Sequence, residues 1–331
     1  MAGCDVMRFD THHVVLLLAA FVESGLAVAQ TTPLFPNRPL RIVVPFPAGG
    51  PVDLTARTLA QKLPAALGQS VIVDNRAGAA TIIGTDTVAK APADGYTWLI
   101  TTNTIVINPS VYKKLPYDTL ADLLPVMRIS TSPFILIAHP SLPLRNVAEF
   151  LKFAKARPGE LLYSSSGVGS ANHVPVVLMN IMAGIYTTHV PYKGTVPSLG
   201  AVVSGEVHFQ FSNPIASSAL VRGGKLRALG TGGTRRLPTM PELPTIAESG
   251  IPGFQAGAWF GLFAPAATPR DIVKHVHGDV ASAIAMPDVR QMLTAEGAEL
   301  IADTPEQFTT FVKTEIAKWA KVITFAGVKA D

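Results

Sequence analysis

An α/β fold with parallel sheets follows from three observations. Short β-branched runs alternate along the chain with segments whose apolar residues recur at helical period. Helix-start and helix-stop residues punctuate those segments. The turns leading from strand to helix are polar or rich in glycine, and ligands of open α/β sheets bind in that region.

The elements follow in order. Leu40–Phe46 (LRIVVPF) is a buried strand. Residues 53–67 carry small or apolar residues at 56, 59, 60, 63 and 67, one helical face, and Gly68 closes it. A strand at 70–74, a helix at 81–90 and a strand at 96–101 come next. Val147–Ala156 is a helix capped by Asn146. Strands at 161–164, 186–190, 207–211 and 226–230 surround a helix at 175–183. Two long helices, 269–285 and 305–325, start at prolines. Two extended runs, Pro125–His139 and Gln255–Pro265, read as crossovers between two lobes. Lobe 1 is then discontinuous, residues 30–132 plus 254–331, and lobe 2 is 133–253. Two lobes on two crossing strands form a hinge that can close around a ligand.

Composition narrows the function. Only 15% of the 331 residues are charged and 48% are hydrophobic, which excludes a disordered chain. The net charge is +4 and no Lys/Arg run exceeds two residues. The dense basic footprint of a nucleic-acid binder is therefore missing. The single cysteine, Cys4, leaves no internal disulfide framework and no thiolate metal cluster.

The N-terminus reads as a secretory signal peptide, residues 1–29. An apolar run of nine (VVLLLAAFV, 14–22) is too short to span a bilayer. Ala27-Val28-Ala29 then supplies a small-x-small cleavage site. The n-region holds one arginine, Arg8, and a start at Met7 instead of Met1 would tidy it. The plain alternative is a buried N-terminal helix or strand. Removal takes away one Arg and three acids, so the formal charge rises from +4 to +6. No later run reads as a membrane span. The expected state is an exported, soluble protein, taken as a monomer.

The chemistry gathers at five turns. The first, Pro45 to Asp53, offers Phe46, Ala48, Gly49 and Gly50 before a helix whose free N–H groups and dipole suit an anion. Asp53 has a structural reading, organising the loop instead of gripping an anionic ligand. The second, Ser164 to His173, presents Ser165, Ser166, Gly167, Ser170 and His173 as neutral donors. It lacks the Gly-Lys-Ser/Thr ending of a phosphate loop, breaks G-x-G-x-x-G at Asn172, and is no G-x-S-x-G elbow. His173 is more readily a capping or packing residue than a ligand group. The third, around Tyr192, Lys193 and Gly194, could add one positive charge. The fourth is Ser212-Asn213 and the fifth holds Asn103. No H-E-x-x-H is present, and no metal site, cofactor or catalytic residue is expected.

These turns carry a resemblance. PFPAGGPVD (45–53), VDNRAGA (73–79), NPSVYKKLPYD (108–118), SSSGVGSANH (164–173), VPYKG (190–194), GKLRALG (224–230), ELPTIAESGIPGF (242–254) and EIAKWAKVI (315–323) stand in one order. The chain thereby resembles the Bug-type periplasmic receptors of tripartite tricarboxylate transporters, from about Pro39 to Asp331. The resemblance implies a type II periplasmic binding protein, a two-lobed flytrap. It implies a receptor, not an enzyme, that takes a small carboxylate and presents it to membrane transporter subunits. It points to Ala48, Gly49, Gly50, Asp53, Ser165, Ser166, Gly167 and Ser170 for one carboxylate. The Tyr192–Gly194 loop and the Ser212-Asn213 turn would shape the variable end. Relatives commonly carry Asp where this chain has Ser212, so a plain mono- or dicarboxylate is expected over an amino acid. A periplasmic sensor acting on a signalling partner is the alternative, and an exported hydrolase a more distant one.

Overall fold

The computed structural model describes residues 1–3, 35–294 and 296–329. The expected signal peptide falls almost entirely outside the described residues. From Pro36 onward the chain folds as one compact unit built on two sheets.

The first sheet opens with β1 (Leu40–Val44), which buries Leu40, Ile42, Val43 and Val44. Helix α1 (Pro51–Lys62) follows, then the short α2 (Pro64–Leu67) and β2 (Val71–Asn75). The single helix expected over 53–67 is therefore two, because Pro64 has no N–H and starts a new turn. A 3-10 turn and α3 (Ile82–Ala89) lead to β3 (Thr97–Thr102) and α4 (Thr104–Val111). Pro109 inside α4 cannot donate to the carbonyl of Ile105. The Thr119 hydroxyl donates to that oxygen instead, at 3.1 Å.

The chain then runs through β4 (Leu123–Pro133), changes sheets at Phe134, and continues as β5 (Ile135–Ala138). Helix α5 (Val147–Ala156) buries Val147, Phe150, Leu151 and Ala154, the helical spacing of one face. Its cap is the expected one, with Glu149 N–H donating to Asn146 Oδ1 at 2.8 Å. Next come β6 (Leu162–Ser165), α6 (Val174–Ala183), β7 (Thr188–Pro191), α7 (Thr195–Val203), β8 (Phe209–Ser212), α8 (Pro214–Arg222) and β9 (Arg227–Thr231). The return is β10 (Gly257–Pro265), followed by α9 (Arg270–Ala285), α10 (Pro287–Thr294), β11 (Glu299–Leu300) and α11 (Pro305–Ala326).

The strand orders are β11-β4-β10-β3-β1-β2 and β7-β6-β8-β5-β9. Neither sheet is purely parallel, which corrects the expectation. β1 pairs in parallel with β2 and β3, but β10 runs antiparallel to β3 and β4. β5 is likewise antiparallel to β8 and β9. The reason is the path of the chain. A strand that arrives from the other sheet is not made by a βαβ crossover, so nothing constrains it to run parallel.

Two hydrophobic cores match the two sheets. One gathers Val43, Leu99, Ile105, Trp259, Phe263, Phe308 and Trp319 under α4 and α11. The other gathers Ile135, Ile137, Val202, Val207 and Leu226. Three segments meet between them. Phe134 N–H donates to Ala256 O (3.1 Å), Ala256 N–H to Gly232 O (2.9 Å), and Gly232 N–H to Phe134 O (2.7 Å). A Cβ at Gly232 would lie 2.4 Å from the Ala256 oxygen. Gly232→Ala is expected to wedge this crossing apart and to destabilise the protein by about 1–3 kcal/mol. Urea unfolding of the variant would measure the shift in midpoint.

Candidate functional site

A cleft lies between the two sheets, with about 660 Å³ of empty space when the open solvent at its mouth is included. The first sheet contributes Phe46, Pro47, Gly50, Pro51 and Val52 after β1, Thr102 and Thr104 at the end of β3, and Ala258 and Phe260 of β10. The second contributes Ser166, Ala171 and Asn172 after β6, Thr195 and Val196 after β7, and Ser212 and Asn213 after β8. Phe134 closes the wall where the chain changes sheets. No Asp, Glu, Lys, Arg, His or Cys is among these residues.

Helix N-termini supply the polarity. α1, α4 and α7 all start on this wall, and none of them has a side-chain cap. The first N–H groups of a helix have no partner within it, and the dipole makes that end positive. α8 also starts here, capped by Asn213, whose Oδ1 accepts from Ile215 N–H at 3.0 Å. Two buried polar atoms of the wall have no hydrogen-bond partner, Asn213 Nδ2 and Thr104 Oγ1. Leaving such a group unpaired costs about 1–3 kcal/mol. Three phenylalanine rings, Phe46, Phe134 and Phe260, make the rest of the wall apolar. The arrangement can hold an anionic head on neutral donors and an apolar body on aromatic rings.

Of the residues singled out in the sequence, Phe46, Gly50, Ser166, Ser212 and Asn213 stand on this wall. The others stand beside or behind it. Ala48 is exposed, and Gly49 turns with φ 84° and donates its N–H to Asp53 Oδ2 at 2.8 Å. Asp53 is 2% exposed and organises the loop, the structural one of its two roles. It also accepts from Arg57 Nε (2.9 Å) and Asn75 Nδ2 (2.9 Å), and Asn75 in turn donates to Phe46 O (3.1 Å). Burial alone would raise its pKa, but the bonds from Arg57, the Gly49 N–H and Asn75 outweigh burial and hold it below the ordinary value. Asn103 ties β3 to β10, donating to Gly257 O (3.1 Å) and accepting from Trp259 N–H (3.0 Å).

Ser165, Gly167, Ser170 and His173 form the back of the second loop. Ser165 Oγ donates to Gly167 O (2.9 Å) and meets His189 Nε2 at 2.6 Å. Ser170 Oγ donates to Asn172 Oδ1 (2.9 Å). His173 Nδ1 accepts from Gly169 N–H (3.1 Å), and its ring stacks on His189 with centroids 4.0 Å apart. That is a packing role. Lys193 is exposed. Gly194 caps α7 at φ 115°, and a Cβ there would lie 3.0 Å from Cγ of Pro47, a residue of the wall. The wall residues not named individually in the sequence reading are mostly apolar or threonine: Pro47, Pro51, Val52, Thr102, Thr104, Phe134, Ala171, Thr195, Val196, Ala258 and Phe260. Pro47, Pro51, Val52 and Ala171 lie inside the first and second turns, and Thr102, Thr104, Thr195 and Val196 adjoin Asn103 and Gly194, so turn position marks them; nothing local marks Phe134, Ala258 or Phe260. Asn172 belongs to the second turn, where position alone could have found it.

A family model described as "Tripartite tricarboxylate transporter family receptor" matches residues 55–328. The chain belongs to that family. It is 36% identical to the protein BugT of Bordetella pertussis over 319 residues, 96% of this chain and 98% of that one. Among solved structures it is similar to R. palustris Rpa4515 with adipate, at TM-score 0.85 and 39% identity over 88% of this chain and 98% of the other. It is also similar to MatC from Rhodopseudomonas palustris with bound malate, at TM-score 0.83 and 33% identity over 87% of this chain and all of that one. The two-sheet α/β fold is thus that of a periplasmic solute-binding protein, and the family consists of receptors.

The loops of this receptor can be tested directly. Gly194→Ala is expected to strain the start of α7 at its positive φ and to press on Pro47 of the wall, lowering affinity for whatever ligand binds, as titration calorimetry would read. Acid should act on the second loop. Burial lowers the pKa of His189 to about 4, and burial together with His189 lowers that of His173 to about 3. Below pH 6.5 the unfolded chain therefore takes up protons that the folded one refuses. Stability present above pH 6.5 is expected to fall as the pH drops toward 4. The thermal midpoint of His189→Gln should fall less over that window than that of the wild type.

Proposed function

We propose that this protein is an exported receptor that captures a small carboxylate in the cavity between its sheets. It hands the ligand to a membrane transporter of the tripartite tricarboxylate type. The observation that carries this reading is the wall itself. Uncapped helix N-termini and neutral donors converge on a cavity without a charged side chain. That combination suits a carboxylate, because hydrogen bonds to a charged group are worth about 1.5–3 kcal/mol each. The adipate and malate held by the two similar structures support the same class of ligand.

In this reading the two sheets are the two lobes, residues 30–132 with 254–331, and 133–253. The crossings at Phe134, Gly232 and Ala256 act as the hinge. Residues 1–29 are a signal peptide cut after Ala29. Among the described residues no helix is long and apolar enough to cross a membrane. Asn172, Asn213 and the N-termini of α1, α4 and α7 hold the ligand's oxygens, and the Ser166 and Ser212 hydroxyls brace the two asparagines by donating to them. Ser165, Gly167, Ser170 and His173 hold the loop that carries Ser166. Asp53 holds the loop that carries Gly50.

A thermal-shift screen of carboxylates tests the reading. A bound acid at about 100 times its Kd is expected to stabilise the fold by about 2.7 kcal/mol, and the acid should be recovered unchanged after incubation. Ser166→Ala is expected to weaken binding about tenfold or more while leaving the unfolding midpoint without ligand near that of the wild type. A screen in which no carboxylate stabilises the protein would sink the proposal.

A further inference from the structure

We infer that Asn172 and Asn213 set the charge selectivity of the cavity, turning their side-chain NH2 groups on the ligand so that a carboxylate without an ammonium is taken and an amino acid is refused. The inference rests on the carboxylate-receptor reading and specifies the ligand further.

A carboxamide carries an acceptor on one branch and donors on the other, and its environment decides which branch is free. At Asn172 the acceptor is fully committed. Its Oδ1 receives Ser166 N–H at 3.1 Å, Ser166 Oγ at 2.9 Å and Ser170 Oγ at 2.9 Å. Rotating the amide would set its NH2 against the Ser166 N–H, donor facing donor. At Asn213 the Oδ1 accepts the Ile215 N–H at 3.0 Å and caps α8, so the same rotation is forbidden there. Both residues line the cavity. The branch left to each is the NH2. Asn213 Nδ2 is buried without a hydrogen-bond partner, and Asn172 Nδ2 donates to no described residue.

An ammonium would meet the opposite of what it needs. It requires acceptors, best of all a carboxylate, and no acidic residue lines this wall. The helix N-termini around it are positive ends. Among the side chains of the wall the acceptors are hydroxyl oxygens such as those of Ser166 and Thr104. An anionic oxygen satisfies the buried Asn213 donor, whereas an ammonium leaves it unpaired and opposed.

Aspartate is the discriminating substitution, because it keeps the acceptor oxygen that the loops use and replaces only the NH2. Asp caps helices as well as Asn does, so Asn213→Asp and Asn172→Asp retain the bonds to Ile215 and to Ser166 and Ser170. Calorimetric titration at pH 7 would compare matched pairs: succinate with aspartate, glutarate with glutamate, and adipate with 2-aminoadipate. The wild type is expected to bind the ammonium-free member of at least one pair about tenfold or more tightly than its amino partner. Each variant should lose about tenfold or more for that acid and narrow or invert the ratio, with circular dichroism confirming the fold. A wild type that binds both members of a pair alike, or folded variants that keep the wild-type ratio, would overturn the inference and leave the carboxylate reading standing. A wild type that binds none of the six would overturn both.

Discussion

The first N–H groups of a helix cannot be satisfied within that helix, and the middle of this molecule is arranged around that constraint. Three uncapped helices begin on one cavity wall, and a fourth begins there with its cap donated by Asn213. Burying such ends against an apolar surface is unfavourable unless a partner arrives. Phenylalanines surround them, so a ligand with oxygens at its head and carbon in its body meets both needs. In the proposed reading the charge for the interaction comes from the ligand, since no charged side chain lines the wall.

That sparing use of charge depends on support from behind. Asp53, the most buried acid near the cavity, is turned inward and saturated by Gly49, Arg57 and Asn75. Asn103 commits both ends of its amide to β10. Ser165 and His173, both buried, and the half-buried His189 form a neutral brace beneath the serine-glycine loop. Each of these polar groups gives its acceptor or its charge to the scaffold. What reaches the cavity is mainly donors, and this is why the wall is receptive to an anion although it holds no Lys or Arg.

Much of the fold was legible locally. The α5 cap at Asn146 and the helical stripe of α11, Phe308, Val312, Glu315, Trp319 and Ile323, are decided by residues within a few turns of each other. Sequence and structure part where distant partners intervene. Helix α4 carries an internal proline and survives because Thr119 replaces the lost bond. The antiparallel entry of β5 and β10 follows from the route of the chain between sheets, which no short window records. Among the candidate site residues, type and turn position were readable, but orientation was not. Ser165 and Ser166 are neighbours with different directions, and only Ser166 reaches the cavity wall.

By itself, then, the sequence determined an α/β chain with low charge, glycine- and serine-rich turns at strand ends, and no metal or thiol chemistry in the motifs it carries. Those are properties of composition and of local period. The tertiary structure decided which side of each turn meets the cavity, which carboxamide edge is committed to its own loop, and that Phe134, Phe260 and Thr104 share a wall with Ser166 and Asn213. The physical reason is that direction at a site depends on hydrogen bonds and packing between segments far apart in the chain, and these exist only once both sheets have formed.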